Sequence, residues 1–137
     1  MDPVIGVIPK DLAVGPYWPQ IAELVAKAQL YGRGEYELDD VRAGIDEEHL
    51  FAIGTVDARG TVHSVLICSC VVYPRKKVLF VIYGAGRGAS FMRDPLVAAA
   101  RVLGADWIES RCRLSVAELF RRAGFEIGYC VPVMELN

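Results

Sequence analysis

The sequence predicts one α/β (α+β) domain, with a mixed, mostly antiparallel central sheet of six to seven strands and about four helices spread over both faces. Three observations predict it. Residues 78–83 are apolar at every position, as a strand covered on both faces is. A polar turn, Asp57-Ala58-Arg59-Gly60, separates two strand-like runs at residues 50–56 and 62–73, as an antiparallel hairpin requires. Ile21, Leu24, Val25 and Ala28 recur at helical spacing.

The elements follow in order. Residues 4–8 are apolar, end at Pro9 and read as a short strand. Gly15-Pro16-Tyr17-Trp18-Pro19 is a loop into a helix, and Pro19 suits the first turn because its missing N–H would be unpaired there anyway. Gly32 and Gly34 end that helix. Asp39 and Asp40 cap a second short helix through Glu47, with Val41 and Ile45 inward. After the hairpin, Pro74-Arg75-Lys76-Lys77 turns the chain into the central strand. Gly84-Ala85-Gly86-Arg87-Gly88-Ala89 is a glycine-rich loop. Asp94 and Pro95 supply a cap and an N1 proline for a helix that runs to Leu103 and stops at Gly104. Residues 105–109 form a strand. Residues 115–123 form a helix ended by Gly124, with Val116, Leu119 and Phe120 on one face. Residues 125–136 hold the last strand or strands, and Pro132 assigns them to an edge or a bulge. The order is β-α-α-β-β-β-α-β-α-β.

A chain of 137 residues fits a single domain spanning 1–137. It buries roughly two-thirds of the surface its unfolded chain exposes, so it needs no disulfide or metal to stay folded. Hydrophobic residues at 53% against charged residues at 23% exclude a disordered tail. The net charge of −2 leaves no electrostatic footprint for nucleic acid or anionic lipid. Met1-Asp2-Pro3-Val4 has no basic, signal-like start, and no apolar run approaches the roughly 18 residues a membrane span needs. The expectation is a soluble, cytoplasmic protein. Cys68, Cys70, Cys112 and Cys130 show no CxxC spacing, and His49 and His63 sit in no ligand pattern, so the cysteines read as four buried, reduced thiols and no metal is expected.

The last third of the chain resembles the GNAT N-acetyltransferases. Their last helix and turn often read N-x-x-A-x-x-L-Y-x-x-x-G-F. Here Leu119, Gly124 and Phe125 match, while Arg113, Val116 and Phe120 stand where Asn, Ala and Tyr would be. The stretch Ala98-Ala99-Ala100-Arg101-Val102-Leu103-Gly104-Ala105 looks like the helix end before the fifth strand, and the order of elements matches along nearly the whole chain. The turns Tyr73-Pro74-Arg75-Lys76 and Cys112-Arg113 are similar to those of small divergent bacteriophage-encoded members, some of which lie among virion-assembly genes. A host-cytoplasm or virion location then follows.

The resemblance implies acetyl-CoA as cofactor, its pyrophosphate laid on the N-terminus of the helix after the fourth strand, where unpaired N–H groups favour an anion. The usual signature is Q/R-x-x-G-x-G/A. The best alignments here are Tyr83-x-x-Gly86-x-Gly88 and Ala85-x-x-Gly88-x-Ser90, which lack the leading Arg or Gln. Tyr83, Gly84, Gly86, Arg87, Gly88 and Ala89 are the candidate cofactor residues, with Arg87 as a phosphate ligand. The other reading of this stretch is a tight structural loop, and Asp94 would set a negative charge near any phosphate. Transfer also needs a base and an acid. Glu109 is the candidate base; its other reading is an ion pair with Arg111 or Arg113. Phe120 has no hydroxyl where the family places its acid, which leaves Tyr129 and Tyr83. Cys70 lacks a visible base partner. Arg111, Arg113, Arg121 and Arg122 form a basic cluster that either binds phosphates or is a solvated face. Tyr17 and Trp18 are either an exposed contact or core.

Two functions follow. One is an acetyl-CoA-dependent N-acetyltransferase acting on a small-molecule or protein amine, with an open cleft where the fourth and fifth strands part. The other is a non-catalytic binding or assembly protein that kept the fold and holds a protein partner, through an apolar patch at a sheet edge or around Trp18.

Overall fold

A computed structural model describes residues 3–87, 92–112, 114–128 and 131–136. Five strands are described: β1 (Val4–Val7), β2 (Phe51–Val56), β3 (Val62–Val72), β4 (Lys77–Gly86) and β5 (Trp107–Ser110). They lie in that order across one sheet. The first three junctions are antiparallel and the β4–β5 junction is parallel. Five helices are described: α1 (Lys10–Val14), α2 (Trp18–Gln29), α3 (Leu38–Asp46), α4 (Arg93–Leu103) and α5 (Leu114–Arg122).

Strand alternation separates two apolar layers. Ala52, Val56, Val65 and Ile67 face Ile21 and Val25 of α2 and Val41 and Ile45 of α3. Ile53, Cys68, Leu79 and Val81 face Leu96, Ala99 and Ala100 of α4 on the other side. Burial of each such aliphatic side chain contributes about 1.5–3 kcal/mol, so these two layers carry the fold. The apolar hexapeptide at 78–83 lies within β4, between β3 and β5 in the sheet, with Val78 to Val81 paired on both sides. Tyr17 and Trp18 are buried in the α1–α3 layer; they are core, not an exposed contact.

Several expectations are corrected. The described residues carry five strands rather than six or seven, and the shortfall lies at the end: residues 125–128 and 131–136 form no strand. Pro132 cannot donate to a ladder, and Ile127, Val131, Val133, Met134 and Leu136 stay exposed. The described residues carry five helices, not four. The extra one, α1, follows Pro9, whose carbonyl accepts from the N–H groups of Leu12 and Ala13 at 3.0 and 2.9 Å. Its last carbonyl, on Val14, accepts two N–H bonds from Arg42 of α3 at 3.2 and 2.8 Å, a cap that comes from a distant helix. The cap of α3 is Glu37, not Asp39: its backbone N–H donates to Asp40, completing a capping box. Helix α2 ends at Gln29, before Gly32. Helix α4 starts at Arg93 after Met92, so Asp94 lies inside the first turn, and it stops at Gly104 in the left-handed conformation (φ 72°). On α5, Val116 and Phe120 are half-buried but Leu119 is 53% exposed, so the expected three-residue face is narrower. Cys112 is exposed, not buried, and Cys130 lies outside the described residues.

Candidate functional site

The site begins with a change in β4. Expected to end at Tyr83, the strand runs on through Gly86, which pairs with Ser64, and the Arg87 N–H then donates to the His63 carbonyl at 3.0 Å. Gly84, Ala85 and Gly86 are therefore strand, not the expected glycine-rich loop. Close approach of backbones is the reason: at Gly86 (φ 111°) a Cβ would collide with the His63 carbonyl oxygen. Gly88 and Ala89 lie outside the described residues.

Two irregularities shape this end of the sheet. Ile67 pairs with Tyr83 but Cys68 pairs with Val81, so Ile82 is an extra residue in β4, a β-bulge. Thr55 pairs with Ser64 but Val56 pairs with Val62, so His63 is the extra residue in β3. The β4–β5 ladder covers Val78 to Val81 against Trp107 to Ser110 and ends one residue before the Ile82 bulge. Among the described residues nothing continues that ladder, while β4 itself extends to Gly86. At the last rung the Ser110 hydroxyl donates to the Val81 carbonyl at 3.1 Å. Beyond Val81, β4 has no strand partner on its β5 side among the described residues.

Around that parting stand the predicted residues. Glu109 pairs across the ladder with Phe80, one rung before it ends, and its Oε1 accepts from Trp107 Nε1 at 3.3 Å. Arg111 lies over the Phe80 ring at 5.6 Å. Tyr83 follows the bulge, packs edge-on against Tyr36 at 6.1 Å, and is half-buried; that burial pushes its phenol above the usual tyrosine value. Tyr129, the other candidate acid, lies outside the described residues, as does Arg113. The expected basic cluster is dispersed: Arg121 and Arg122 pair with Glu118 on their own helix, at 2.6 and 3.8 Å.

Past the bulge, Leu24, Lys27, Val62, His63, Gly86 and Arg87 line a hollow of about 430 Å³. Lys27 and Arg87 make no ion pair with any described residue. His63 Nε2 lies 2.8 Å from an Asp57 oxygen, and Asp57 also accepts from the N–H groups of Arg59 and Thr61. Those bonds, the one from Thr61 first, hold the Asp57 carboxyl below the usual range. Sequence reasoning found Arg87 but not Lys27 or His63, which come from other elements. Helix α4 begins nearby: Ser64, opposite Gly86, donates to the Met92 sulfur at 3.3 Å. The charge of Asp94 is countered by Arg93 at 3.1 Å. Among the described residues no group of three or more His, Cys, Asp or Glu is gathered to hold a metal. No described helix is long and apolar enough to cross a membrane.

No family model matches the sequence, and no curated protein matches it. Solved structures do. A probable acetyltransferase is 12% identical, with 99% of this chain and 100% of that chain covered and a TM-score of 0.71. Glucosamine-6-phosphate N-acetyltransferase from Arabidopsis thaliana is 10% identical, with 100% of both chains covered and a TM-score of 0.69. An aminoglycoside acetyltransferase from an uncultured soil metagenomic sample is 9% identical, with 98% and 97% covered and a TM-score of 0.70. An open mixed sheet whose parallel fourth and fifth strands part beside a bulge, joined to these likenesses, defines the GNAT fold.

Proposed function

We propose that this chain, as one domain across 1–137, is an acetyl-CoA-dependent N-acetyltransferase of the cytoplasm that acts on a small-molecule or protein amine. The observation that carries the reading is the parting of β4 and β5 after Val81 and Ser110, with β4 continuing past a bulge to Gly86.

The residues present fit the cofactor. The open side of β4 offers backbone donors and acceptors to an extended amide chain. Arg87 and Lys27 supply positive groups for phosphate at the far end, with the His63 ring beside them. Acetyl-CoA, when bound, supplies the acetyl thioester. Glu109, one rung from the parting, takes a proton from the incoming amine at a carboxylate oxygen, with Trp107 fixing the other end of that carboxylate. Tyr83 keeps its phenolic proton at neutral pH and is the described donor; Tyr129 is the second candidate.

The binding or assembly reading is weaker because Trp18, one of its two surfaces, is buried. The exposed Ile5 and Val7 on edge strand β1 are what favours it. Calorimetric titration with acetyl-CoA decides. Saturable binding that weakens in Arg87→Ala is expected, and no heat at millimolar acetyl-CoA overturns the enzyme. In an acceptor assay Glu109→Gln is expected to slow transfer by about a hundredfold or more with acetyl-CoA affinity unchanged; an unchanged rate removes Glu109 from the role.

A further inference from the structure

We propose that the hollow between the turn at residues 73–76 and β5 is the acceptor site, and that it takes a primary amine whose flat or ring-shaped body carries an anionic group at its far end. The proposal rests on the acetyltransferase reading and names its substrate class.

Tyr73, Pro74, Arg75, Lys76, Trp107 and Glu109 line this shallow, open hollow of about 460 Å³. It is separate from the Lys27–Arg87 hollow at the other end of β4. Its charge is polarised. Arg75 and Lys76 stand on the turn at one end, exposed and without an ion pair to any described residue. Glu109 stands at the other end, opposite Phe80. Phe80 lies four residue steps beyond Lys76, about 13 Å along the strand. Glu109 is also one rung before the ladder ends, so a group held at its carboxylate reaches the parting of β4 and β5.

The rings of Tyr73, on the same turn, and Trp107, on β5, also line the hollow and are 49% and 45% exposed. Single exposed aromatics are common. These two share one hollow, and Trp107 is held in place by its bond to Glu109. Such rings take the flat face of a sugar or an aromatic body. The Tyr73 N–H donates to the Lys76 carbonyl at 2.7 Å, which closes the turn and fixes the backbone that carries both cations. An ammonium is attracted by Glu109 and repelled by Arg75 and Lys76. An anionic group at the opposite end of the same molecule converts that repulsion into attraction. Two exposed charge pairs together are worth about tenfold in affinity.

The probes are 4-(aminomethyl)benzoate and benzylamine, which differ only in the carboxylate. Binding to the cofactor-free protein is read by quenching of the exposed Trp107, with Trp107→Phe as the blank for the buried Trp18. The benzoate is expected to bind about tenfold more tightly than benzylamine, and Arg75→Glu with Lys76→Glu to erase or reverse that preference. Both substitutions are on an exposed turn, and far-ultraviolet circular dichroism checks that the fold persists. Equal binding of the two probes, an unchanged preference in the charge-reversed variant, or no binding of the benzoate at millimolar concentration overturns the site. Acetyl-CoA titration of the same charge-reversed variant separates the two claims. Intact cofactor binding with a lost probe preference is expected. Failure of the probes with cofactor binding intact overturns the acceptor site alone. Failure of acetyl-CoA with the unaltered protein overturns the enzyme and, with it, the assignment of the hollow as an acceptor site.

Discussion

Ser110 donates its hydroxyl proton to the carbonyl of Val81 at 3.1 Å, on the last rung that β4 and β5 share. A carbonyl at the point where two strands part has lost its next ladder partner, and a side chain supplies one. Ser110→Ala leaves that half-buried acceptor without the bond and is expected to cost about 1 kcal/mol in urea denaturation. Ser110→Thr, which keeps the hydroxyl, is expected to recover most of it.

Gly86 and Gly104 both sit at positive φ, yet their surroundings differ. A Cβ at Gly86 meets the His63 carbonyl and the Ser64 Cα, whereas one at Gly104 meets nothing within 4 Å. Gly104→Ala is therefore expected to cost only the left-handed strain, about 1 kcal/mol. Gly86→Ala is expected to cost about 3 kcal/mol, because the end of β4 must also move away from β3. Denaturant midpoints of the two variants check the order; equal losses would show that contact with His63 is not the deciding factor.

Arg42 joins three elements. From α3 it donates two bonds to the last carbonyl of α1, and its guanidinium lies 5.7 Å from the Trp18 ring centre at the start of α2. Arg42→Ala is expected to destabilise the protein by about 2 kcal/mol. Arg42→Lys is expected to recover less than half, since an ammonium cannot give the forked pair of bonds. Hydrogen exchange within α1 is expected to accelerate in both variants.

Burial pushes the Cys68 thiol well above its ordinary value, up to about 12. The sign follows from linkage. The unfolded chain releases this proton near 9 and the folded chain holds it, so stability is full below 9 and is lost as pH rises from about 9 toward about 12. Cys68→Ala is expected to flatten the stability profile in that window. At pH 8 a thiol reagent is expected to label the exposed Cys112 and to reach Cys68 only on unfolding.

The sequence alone determined whatever is local. An unbroken apolar run at 78–83 reads as an interior strand, and it lies in β4, between β3 and β5. The Asp57–Gly60 turn, the inward Val41 and Ile45, and the stop at Gly104 needed only neighbours a few residues away. Glu109 was found beside the parting because a strand ending there fixes its position.

Tertiary structure decided what depends on partners distant in sequence. Helix α1 is capped by Arg42, 28 residues beyond Val14, and no local pattern records that bond. Gly84 and Gly86 read as loop residues by composition, but both are strand, and the β3 backbone packs so closely against Gly86 that only a missing side chain lets the ladder continue. The apolar tail alternates like a strand yet forms none in its described residues, because a strand needs a partner edge as well as a propensity. Each hollow gathers residues from separate elements: Lys27 with His63 and Arg87 in one, Tyr73 and Arg75 with Trp107 and Glu109 in the other. Periodicity reports which face of an element is apolar; which faces meet is fixed only when the whole chain closes its core.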